Sequence, residues 1–384
     1  MATATLTRPP HEPACGLVIG VDTHKDNHVA VALADSGARQ DQCTVPAHRQ
    51  GYSSLLEWAL RLGSRPTFAL EGTGSYGAGL ARFLQRRGIA VVEVNRPDRS
   101  ARRRLGKDDA IDAEMAARSF LAGTATAVPK AGNEKVEMIR LLKCAKDSAS
   151  AGRTQALNQI RAILVTAPSS LRERLESLPG KDLVAACAAL RPGLLTTPLA
   201  AAKRALRTLA KRVLALEEEM AGILADLDHL TAVVSPSLRA SIGIGVDTAA
   251  VLLSVAGDNP ERIRSERAFA AICGVSPLPA SSGRTHRHRL NRGGNRQANA
   301  ALHRIAVTRL RWHEPTRRYA ARRQAEGLSK REILRCLKRF IAREVFHTIR
   351  GRAAIRLCKG ERRDVARLLP AASELPTKPT SRWG

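Results

Sequence analysis

The sequence predicts a mixed α/β domain at its N-terminus and a mostly helical remainder. Short apolar segments alternate with polar turns over the first 130 residues, whereas apolar positions recur at helical spacing from about residue 134. Three strand-like segments come first, and helices then alternate with strands. This order predicts a mixed sheet flanked by helices, as in the ribonuclease H-like fold.

The elements of the N-terminal domain follow from local signals. Apolar runs such as GLVIGVD and IAVVEV are typical of buried strands, and Asp35, Ser36 and Gly37 form a turn signal after the second strand. The predicted order is strands over 16–22, 28–35 and 42–47, a helix over 50–62, a strand over 67–71, a helix ending at Arg87, a strand over 89–94 and a helix over 109–121. We expect residues 1–14 to be a disordered leader and residues 15–130 to form the domain.

A helical arm is predicted over residues 131–235. No proline interrupts the chain between Val136 and Val165, which indicates one long helix from Glu134 to about Arg174. Further on, apolar residues repeat in steps of three and four, the pattern of a coiled-coil seam: Leu206, Leu209, Val213, Leu216, Met220, Ile223, Leu227 and Leu230. Such a seam needs an apolar partner, so we expect a homodimer or a higher, dimer-based oligomer, with simple spacing as the alternative.

Residues 236–365 are predicted to form a mainly α domain. The segment 241–257 resembles a helix–hairpin–helix, in which Gly243 and Gly245 allow a tight turn whose amides can face a phosphate. An ordinary turn between two core helices explains the segment equally well. Residues 366–384 are expected to be a disordered tail.

The charge of the chain indicates a polyanionic partner. The 384 residues carry a formal net charge of +28, and charge spread so widely favours nucleic acid over a small acidic substrate. Aromatic residues make up only 3%, so phosphate contacts should supply more affinity than base stacking. No apolar stretch is long enough to span a bilayer and no secretory signal is recognisable, so a cytoplasmic, nucleoid-associated protein is expected. Seven scattered cysteines without a CxxC pair favour free thiols.

Four acidic residues stand where this fold would bring them together. Asp22 ends the first predicted strand and Glu71 ends the fourth, while Asp109 and Asp112 are three residues apart on one helix and so share a face. Converging carboxylates in a basic protein can hold Mg²⁺ for phosphoryl chemistry on a nucleic acid. Taken singly, each acid is more often a turn or capping residue, and Asp108 is a further acid beside Asp109.

The turn that follows Glu71, GTGSYG, has two interpretations. It resembles a phosphate-cradling loop, but it lacks the Lys-Ser/Thr ending of a P-loop. We favour the second interpretation, in which small residues let the backbone of a ligand approach the Glu71 carboxylate.

A basic loop over residues 281–296 is a second candidate site. Ser281, Ser282 and Gly283 offer a hydroxyl nucleophile, and neighbouring arginines would stabilise the charge on a transferring phosphate, although most such triplets are plain loops. His286 and His288 suit phosphate contact better than metal binding, since no acidic or cysteine partner is near in sequence. The arginines expected to bind nucleic acid are Arg102, Arg103, Arg104, Arg284, Arg287, Arg289, Arg292 and Arg296.

With these motifs the chain resembles the DEDD-type insertion-sequence transposases of the IS110 family, which are RNA-guided recombinases. The matching stretches occur in order along nearly the whole chain: IGVDTHKD, ALEGTGSYG, GKDDAIDAEMAARSF, GIGVDTAAVLL, RLNRGGNRQANAAL and REILRCLKRFIAREV. The resemblance implies an N-terminal domain like the Holliday-junction resolvase RuvC, a coiled-coil arm and a C-terminal transposase domain.

The resemblance also implies residue roles and partners. The family's metal-binding tetrad falls on the four acids named above, and the spacing to Asp112 favours Asp109 over Asp108. The family's catalytic serine precedes a glycine, which indicates Ser282, with Ser281 as the alternative. The implied activity is the cutting and rejoining of DNA strands, guided by a structured RNA that the element encodes.

Three other functions fit part of the sequence. A junction-resolving nuclease would use the same acids without a serine. An actin-like kinase also has an Asp after its first strand, but the high pI, the seam and the arginine-rich serine loop disfavour it. A nucleic-acid-binding structural protein with an inactive site conflicts with the intact set of acids.

Overall fold

The computed structural model describes residues 16–94, 108–132, 134–281, 288–289 and 291–351. The chain divides into two compact units. The first comprises Met1–Glu134 with Gly257–Arg262, and the second comprises Lys135–Ala256 with Ile263–Gly384. The predicted disordered leader and tail lie outside the described residues.

The first unit is built on a five-stranded mixed sheet, as predicted. Its strands are β1 (Leu17–Thr23), β2 (Asn27–Ala34), β3 (Arg39–Pro46), β4 (Thr67–Glu71) and β5 (Ala90–Val94). They lie in the order β3-β2-β1-β4-β5, and the first three are antiparallel neighbours. β4 runs parallel to both β1 and β5, which places the ends of β1 and β4 at the same edge of the sheet.

Helices cover both faces of this sheet. The helices α1 (Arg49–Leu62) and α2 (Ala78–Gln85) pack on one face, and α3 (Asp109–Leu121) packs on the other. Side chains alternate between the faces along each strand. In β1, for example, Ile19 faces the core of α1 and α2, whereas Val18 faces the core of α3.

Glycine at position 20 allows α3 to lie very close to the central strand. A Cβ atom on Gly20 would come within 1.9 Å of the Ala113 carbonyl oxygen and 2.8 Å of the Ala117 amide nitrogen. Helix α3 presents small buried side chains at Ala113, Ala116 and Ala117, which permit the same approach from the helix side. The absence of side-chain bulk at this contact therefore sets the distance between α3 and the sheet.

The segment Gly257–Arg262 belongs to the first unit although it lies far along the chain. The Asn259 side-chain amide donates to the Pro129 carbonyl oxygen at 3.0 Å. The Asn259 side-chain oxygen in turn accepts from the Ala131 amide at 3.0 Å. Sequence patterns did not predict this return of the chain, because each contact spans about 130 residues.

The second unit is mostly helical, as predicted for the remainder of the chain. Its helices are α4 (Lys135–Thr166), α5 (Ser169–Leu175), α6 (Gly180–Ala188), α7 (Pro198–Val234), α8 (Pro236–Ala240), α9 (Val246–Ala256), α10 (Glu266–Ile272), α11 (Arg296–Trp312), α12 (Glu314–Ala325) and α13 (Lys330–Ile349). A short hairpin, β6 (Leu278–Pro279) with β7 (His288–Arg289), precedes α11. No helix in the described part of the chain combines the length and apolarity that a membrane crossing requires. The described cysteines are free: Cys43, Cys144, Cys187, Cys273 and Cys336.

The prediction of one helix from Glu134 to about Arg174 is wrong. Helix α4 ends at Thr166, and α5 begins separately at Ser169. Pro168 explains the break, because proline has no amide hydrogen to donate and disfavours helical geometry at the residue before it. The proline-free stretch ended at residue 167, so the sequence contained the signal.

The apolar seam of α7 packs against α4 of the same chain. Val136 of α4 shares a core with Leu230 near the end of α7, and Ile160 of α4 shares a core with Leu206 near its start. The two helices are therefore antiparallel. An apolar partner thus exists within the chain, so the seam by itself no longer requires a second subunit.

The turn between α8 and α9 is held by protein contacts. Gly243 adopts a φ of 82°, in the left-handed region that favours glycine. The Arg309 Nε atom donates to the Ile242 carbonyl oxygen at 2.8 Å, and an Arg309–Glu344 ion pair fixes the guanidinium. These contacts favour the interpretation as a turn between core helices.

Replacing Gly20 by Ala should lower the free energy of unfolding of the first unit by about 3 kcal/mol, because the new methyl group would overlap backbone atoms of α3. Urea unfolding followed by circular dichroism measures the change. Gly222 is the matched control. It lies inside α7 with no atom within 4 Å of an added Cβ, so Gly222→Ala should stabilise by about 0.5–1 kcal/mol. Equal stability of Gly20→Ala and the unmodified protein would contradict the close packing.

Candidate metal centre

The ends of β1 and β4 bring two acids side by side. Val21 of β1 is the register partner of Leu70 in β4, so Asp22 and Glu71 are the next residues on neighbouring parallel strands. Val21 and Leu70 face α1 and α2. Because strand side chains alternate, Asp22 and Glu71 belong to the opposite face, which α3 covers.

The first turn of α3 supplies two more acids. Asp109 is the first residue of the helix, and Asp112 is 3% exposed. Asp108 has another role, because its side chain accepts a hydrogen bond from the Ala110 amide at 3.2 Å and caps the helix. The positive end of the helix dipole favours carboxylates at this terminus. Of the two adjacent acids, Asp109 is therefore the one available to the cluster.

His24 joins the cluster and was not predicted from the sequence. Its Nε2 atom lies 3.1 Å from an Asp22 oxygen and 3.4 Å from an Asp109 oxygen. One candidate ligand atom from each of these three residues lies within 4.8 Å of the others. A signal was present in the sequence, since His24 follows Asp22 by two residues and strand periodicity places both on one face.

The carboxylates of this cluster repel one another in a partly buried setting. Burial raises the pKa of Asp22 above its ordinary value, and the negative charges of Asp112 and Asp109 raise it further, while His24 acts in the opposite direction. A cation bound among these oxygens would relieve both the repulsion and the cost of burial. The donor set, with carboxylates from a strand and a helix and one imidazole, thus fits a divalent metal.

The glycine-rich turn after Glu71 is held by hydrogen bonds to one of its own carbonyl oxygens. The Gly72 carbonyl oxygen accepts from the Ser75 amide at 2.8 Å and from the Gly77 amide at 3.1 Å. Two backbone amides that a phosphate-binding loop would need therefore already donate hydrogen bonds within the turn. Gly74 has no atom within 4 Å of an added Cβ, so there is open space at this turn for a ligand to approach.

Tyr76, like His24, was not predicted from the sequence as a candidate site residue. It stands in the same turn and is 57% exposed. In a chain with only 3% aromatic residues, an exposed ring five positions after Glu71 is a surface on which a nucleic-acid base can stack.

The candidate serine loop is described only in part. Ser281 is exposed and follows β6 closely, and Arg289, Arg292 and Arg296 are exposed on β7, the next turn and the start of α11. The remaining candidates of the loop and of the N-terminal basic cluster lie outside the described residues: Ser282, Arg284, Arg287, Arg102, Arg103 and Arg104.

Comparisons with known proteins match both parts of the chain. A family model for DEDD-type IS110 proteins, described as "Transposase", matches residues 19–167, which include all four acids. A second, described as "Transposase IS116/IS110/IS902 family", matches residues 236–321, which include the serine loop. Together the two models span more than half of the chain. This chain belongs to the IS110 family of transposases.

A curated member of the IS110 group supports the same assignment. The chain is 32% identical over 135 residues to an uncharacterised 43.6 kDa protein of insertion element IS110 from Streptomyces coelicolor. The match covers 34% of this chain and 33% of that protein, so the chain aligns with about a third of the length of this relative.

We expect this IS110-family protein to bind Mn²⁺, a Mg²⁺ analogue, at the acid cluster. Asp109→Asn should weaken Mn²⁺ binding on the order of tenfold, because it removes a charged oxygen from the cluster. Asp108→Asn is the matched control, since asparagine caps helices as well as aspartate does and should leave the affinity unchanged. Isothermal titration calorimetry compares the two. An equal loss in both variants would contradict the distinction between the adjacent acids.

Proposed function

We propose that this chain is the DNA transposase of an insertion sequence and that it cuts and rejoins DNA strands. The observation that carries the proposal is the convergence of Asp22 from β1 with Asp109 and Asp112 from α3 at one edge of the sheet. A chain with a net charge of +28 that gathers carboxylates at one point is suited to phosphoryl transfer on nucleic acid. Membership of a transposase family favours DNA as the substrate.

We assign Mg²⁺ to the acid cluster. Asp22, Asp109 and Asp112 would hold it, with Glu71 from the neighbouring strand as the fourth acid, because Mg²⁺ prefers carboxylate oxygens. When bound, the ion supplies Lewis-acid stabilisation of the charge that develops on a phosphate. His24 offers a nitrogen, which suits Mg²⁺ less well, so its role is to orient the carboxylates of Asp22 and Asp109.

The first unit would then be a ribonuclease H-like domain of the RuvC type. Its sheet joins an antiparallel meander of three strands to two parallel strands. Asp22 and Glu71 stand at the ends of parallel neighbours, which is where open α/β sheets commonly bind their ligands.

We propose Ser282 as the nucleophile, with Ser281 as the alternative. The serine Oγ atom attacks a DNA phosphorus and loses its proton to a base, while the bond from phosphorus to the bridging sugar oxygen breaks and that oxygen takes up a proton. In the reverse step, a hydroxyl at the end of a DNA strand attacks the phosphorus that is bonded to the serine. The bond from phosphorus to the serine oxygen breaks, so the DNA is rejoined and the serine is released. The exposed arginines at 289, 292 and 296 supply positive charge for the phosphate.

Two partners belong to the same proposal. An RNA encoded by the element would guide the protein to DNA, which suits a chain with few aromatic side chains for reading bases. A homodimer or a higher, dimer-based oligomer would bring two DNA sites together. In the middle of the α7 seam, Leu216, Met220 and Ile223 are only half-buried, so apolar surface remains for a second copy.

A junction-resolving nuclease is the alternative function. It would hydrolyse DNA at the same acids with water as the nucleophile. The match of residues 236–321 to a transposase model, which spans the serine and its arginines, favours the serine mechanism.

Replacing Asp22 by Asn should lower the rate of strand cleavage on the order of 100-fold, because it removes a charged ligand oxygen. DNA affinity should change less than about twofold, since remote arginines supply it. Gel assays of cleavage and fluorescence anisotropy measure the two effects. Asp26→Asn, an exposed change in the same β1–β2 turn, should leave both unchanged. An Asp22→Asn protein that cleaves like the unmodified one would refute the metal centre.

The serine mechanism predicts DNA covalently attached to protein when cleavage is stopped with denaturant. The adduct should vanish in Ser282→Ala and persist in Ser281→Ala, as judged on a denaturing gel. The opposite pattern would move the nucleophile to Ser281. Cleavage without any adduct would favour direct hydrolysis, which is the nuclease alternative.

A further inference from the structure

Hydrogen bonds join the two ends of the segment that carries the serine loop. The end of α10 lies on one side of this segment, and the start of α11 lies on the other. Carbonyl groups at the end of a helix need partners from outside the helix. Three donors spaced four residues apart bind three carbonyl oxygens here: the Asn291 side chain binds Ala271 at 3.1 Å, the Asn295 backbone amide binds Ile272 at 2.7 Å, and the Asn299 side chain binds Gly274 at 2.8 Å. After the serine loop the chain thus returns to the point at which it left α10.

A backbone contact at Gly294 closes the same junction. A Cβ atom on Gly294 would lie 2.3 Å from the Cα and N atoms of Gly274 and 2.9 Å from the Ala271 carbonyl oxygen, so the contact requires glycine. The β6–β7 hairpin extends from this junction. Ser282 is three residues past the end of β6, which limits its distance from that strand to about 11 Å. The position of the junction therefore restricts where the serine can lie.

Lys338 of α13 determines which way the Asn299 amide points. The Lys338 Nζ atom donates to Asn299 Oδ1 at 2.9 Å, while Asn299 Nδ2 donates to the Gly274 carbonyl oxygen. An ammonium group only donates and a carbonyl oxygen only accepts, so the amide between them satisfies both in a single orientation. The charge on Lys338 also polarises the amide and strengthens its hydrogen bond to Gly274.

Packing alone does not explain a lysine at position 338. Its side chain is buried, with 9% of the residue exposed, and within the described part of the chain no carboxylate lies at ion-pair distance from it. Burial lowers the pKa of Lys338 below its ordinary value, and the charge of Arg335 lowers it further. A buried cation without a carboxylate costs free energy, which an apolar side chain of similar length would avoid. The contact with Asn299 is therefore the feature that distinguishes lysine from such a residue.

We propose that Lys338 and Asn299 are positioning residues that hold the serine loop in place for its attack on DNA. Lys338 fixes the Asn299 amide, and Asn299 fixes the end of α10 against the start of α11. A nucleophile held in one place reacts faster than one that must find its position in each attempt. The inference rests on the proposed serine mechanism and adds two residues outside the loop on which that mechanism depends.

Hydrogen exchange in the protein without DNA tests whether the two residues hold this junction. Lys338→Met removes the charge and the donor, and Asn299→Asp keeps a partner for Lys338 but turns an oxygen towards the Gly274 carbonyl. In both variants the backbone amides of residues 274–276, which bond to the end of α10, should exchange about tenfold faster. Mass spectrometry of the corresponding peptide measures the rate.

Two controls separate a local effect from a general loss of stability. Asn295→Asp makes the same change four residues away, where aspartate caps α11 as well as asparagine does, so exchange at residues 274–276 should change less than about twofold. The amides of α9 lie in the core of the same unit and report its global unfolding, so they should exchange at an unchanged rate in all three variants.

The rate of adduct formation tests the consequence for the chemistry. At saturating DNA, Lys338→Met and Asn299→Asp should each form the serine–DNA adduct about tenfold more slowly, and the double variant should be no slower than the slower single one. The DNA concentration that gives half the maximal rate should change less than about twofold, since both residues act through the loop. Lys330→Met, the same substitution at an exposed position at the start of α13, should change neither quantity.

Three results would overturn the proposal. They are unchanged exchange at residues 274–276 in both variants, faster exchange there with an unchanged rate of adduct formation, and equally accelerated exchange in α9, which would mean that the two residues support the whole unit. An unmodified protein that cleaves DNA without any adduct would refute the serine mechanism instead. The exchange comparison would then still decide whether Lys338 and Asn299 hold the junction, because it uses no DNA.

Discussion

The close packing of α3 on β1 is the contact on which the candidate site depends. An added Cβ on Gly20 would lie 1.9 Å from a backbone oxygen of α3, so only glycine permits the observed spacing. Small side chains on the facing side of the helix complete the contact. Asp109 is the first residue of α3, and Asp112 lies in the same first turn. The distance between α3 and the sheet therefore determines whether the carboxylates of these two residues reach the end of β1.

This packing assembles like charges that would otherwise stay apart. Burial raises the pKa of Asp22, His24 opposes this effect, and the negative charges of Asp112 and Asp109 raise the pKa further, so the ionised form of this carboxyl carries a free-energy cost without a cation. Part of that cost is offset by His24, which bridges Asp22 and Asp109, and part by the positive end of the helix dipole. Asp108 holds the helix start in place as a cap. Elements that serve the fold thus also serve the site.

Local signals in the sequence predicted most of the first unit. The strands and the helix over 109–121 follow from apolar periodicity, and the convergence of Asp22 with the acids of α3 follows from the order of those elements. Periodicity could not reveal contacts that join distant parts of the chain. Asn259 returns to Pro129 and Ala131, and the α7 seam finds its apolar partner in α4, because tertiary packing decides both. The two-residue spacing from Asp22 placed His24 on the same face, but only the packing of α3 shows that its imidazole also reaches Asp109.

The most direct measurement of the metal centre is the anomalous scattering of Mn²⁺ in crystals of the protein soaked with that ion. We predict an anomalous peak bonded to carboxylate oxygens of Asp22, Asp109 and Asp112, at the edge of the sheet where β1 meets α3. The peak should disappear in crystals of the Asp22→Asn protein grown in the same form. A Mn²⁺ ion bound elsewhere, with these carboxylates ligand-free at saturating Mn²⁺, would contradict the assignment of the acids as the metal centre.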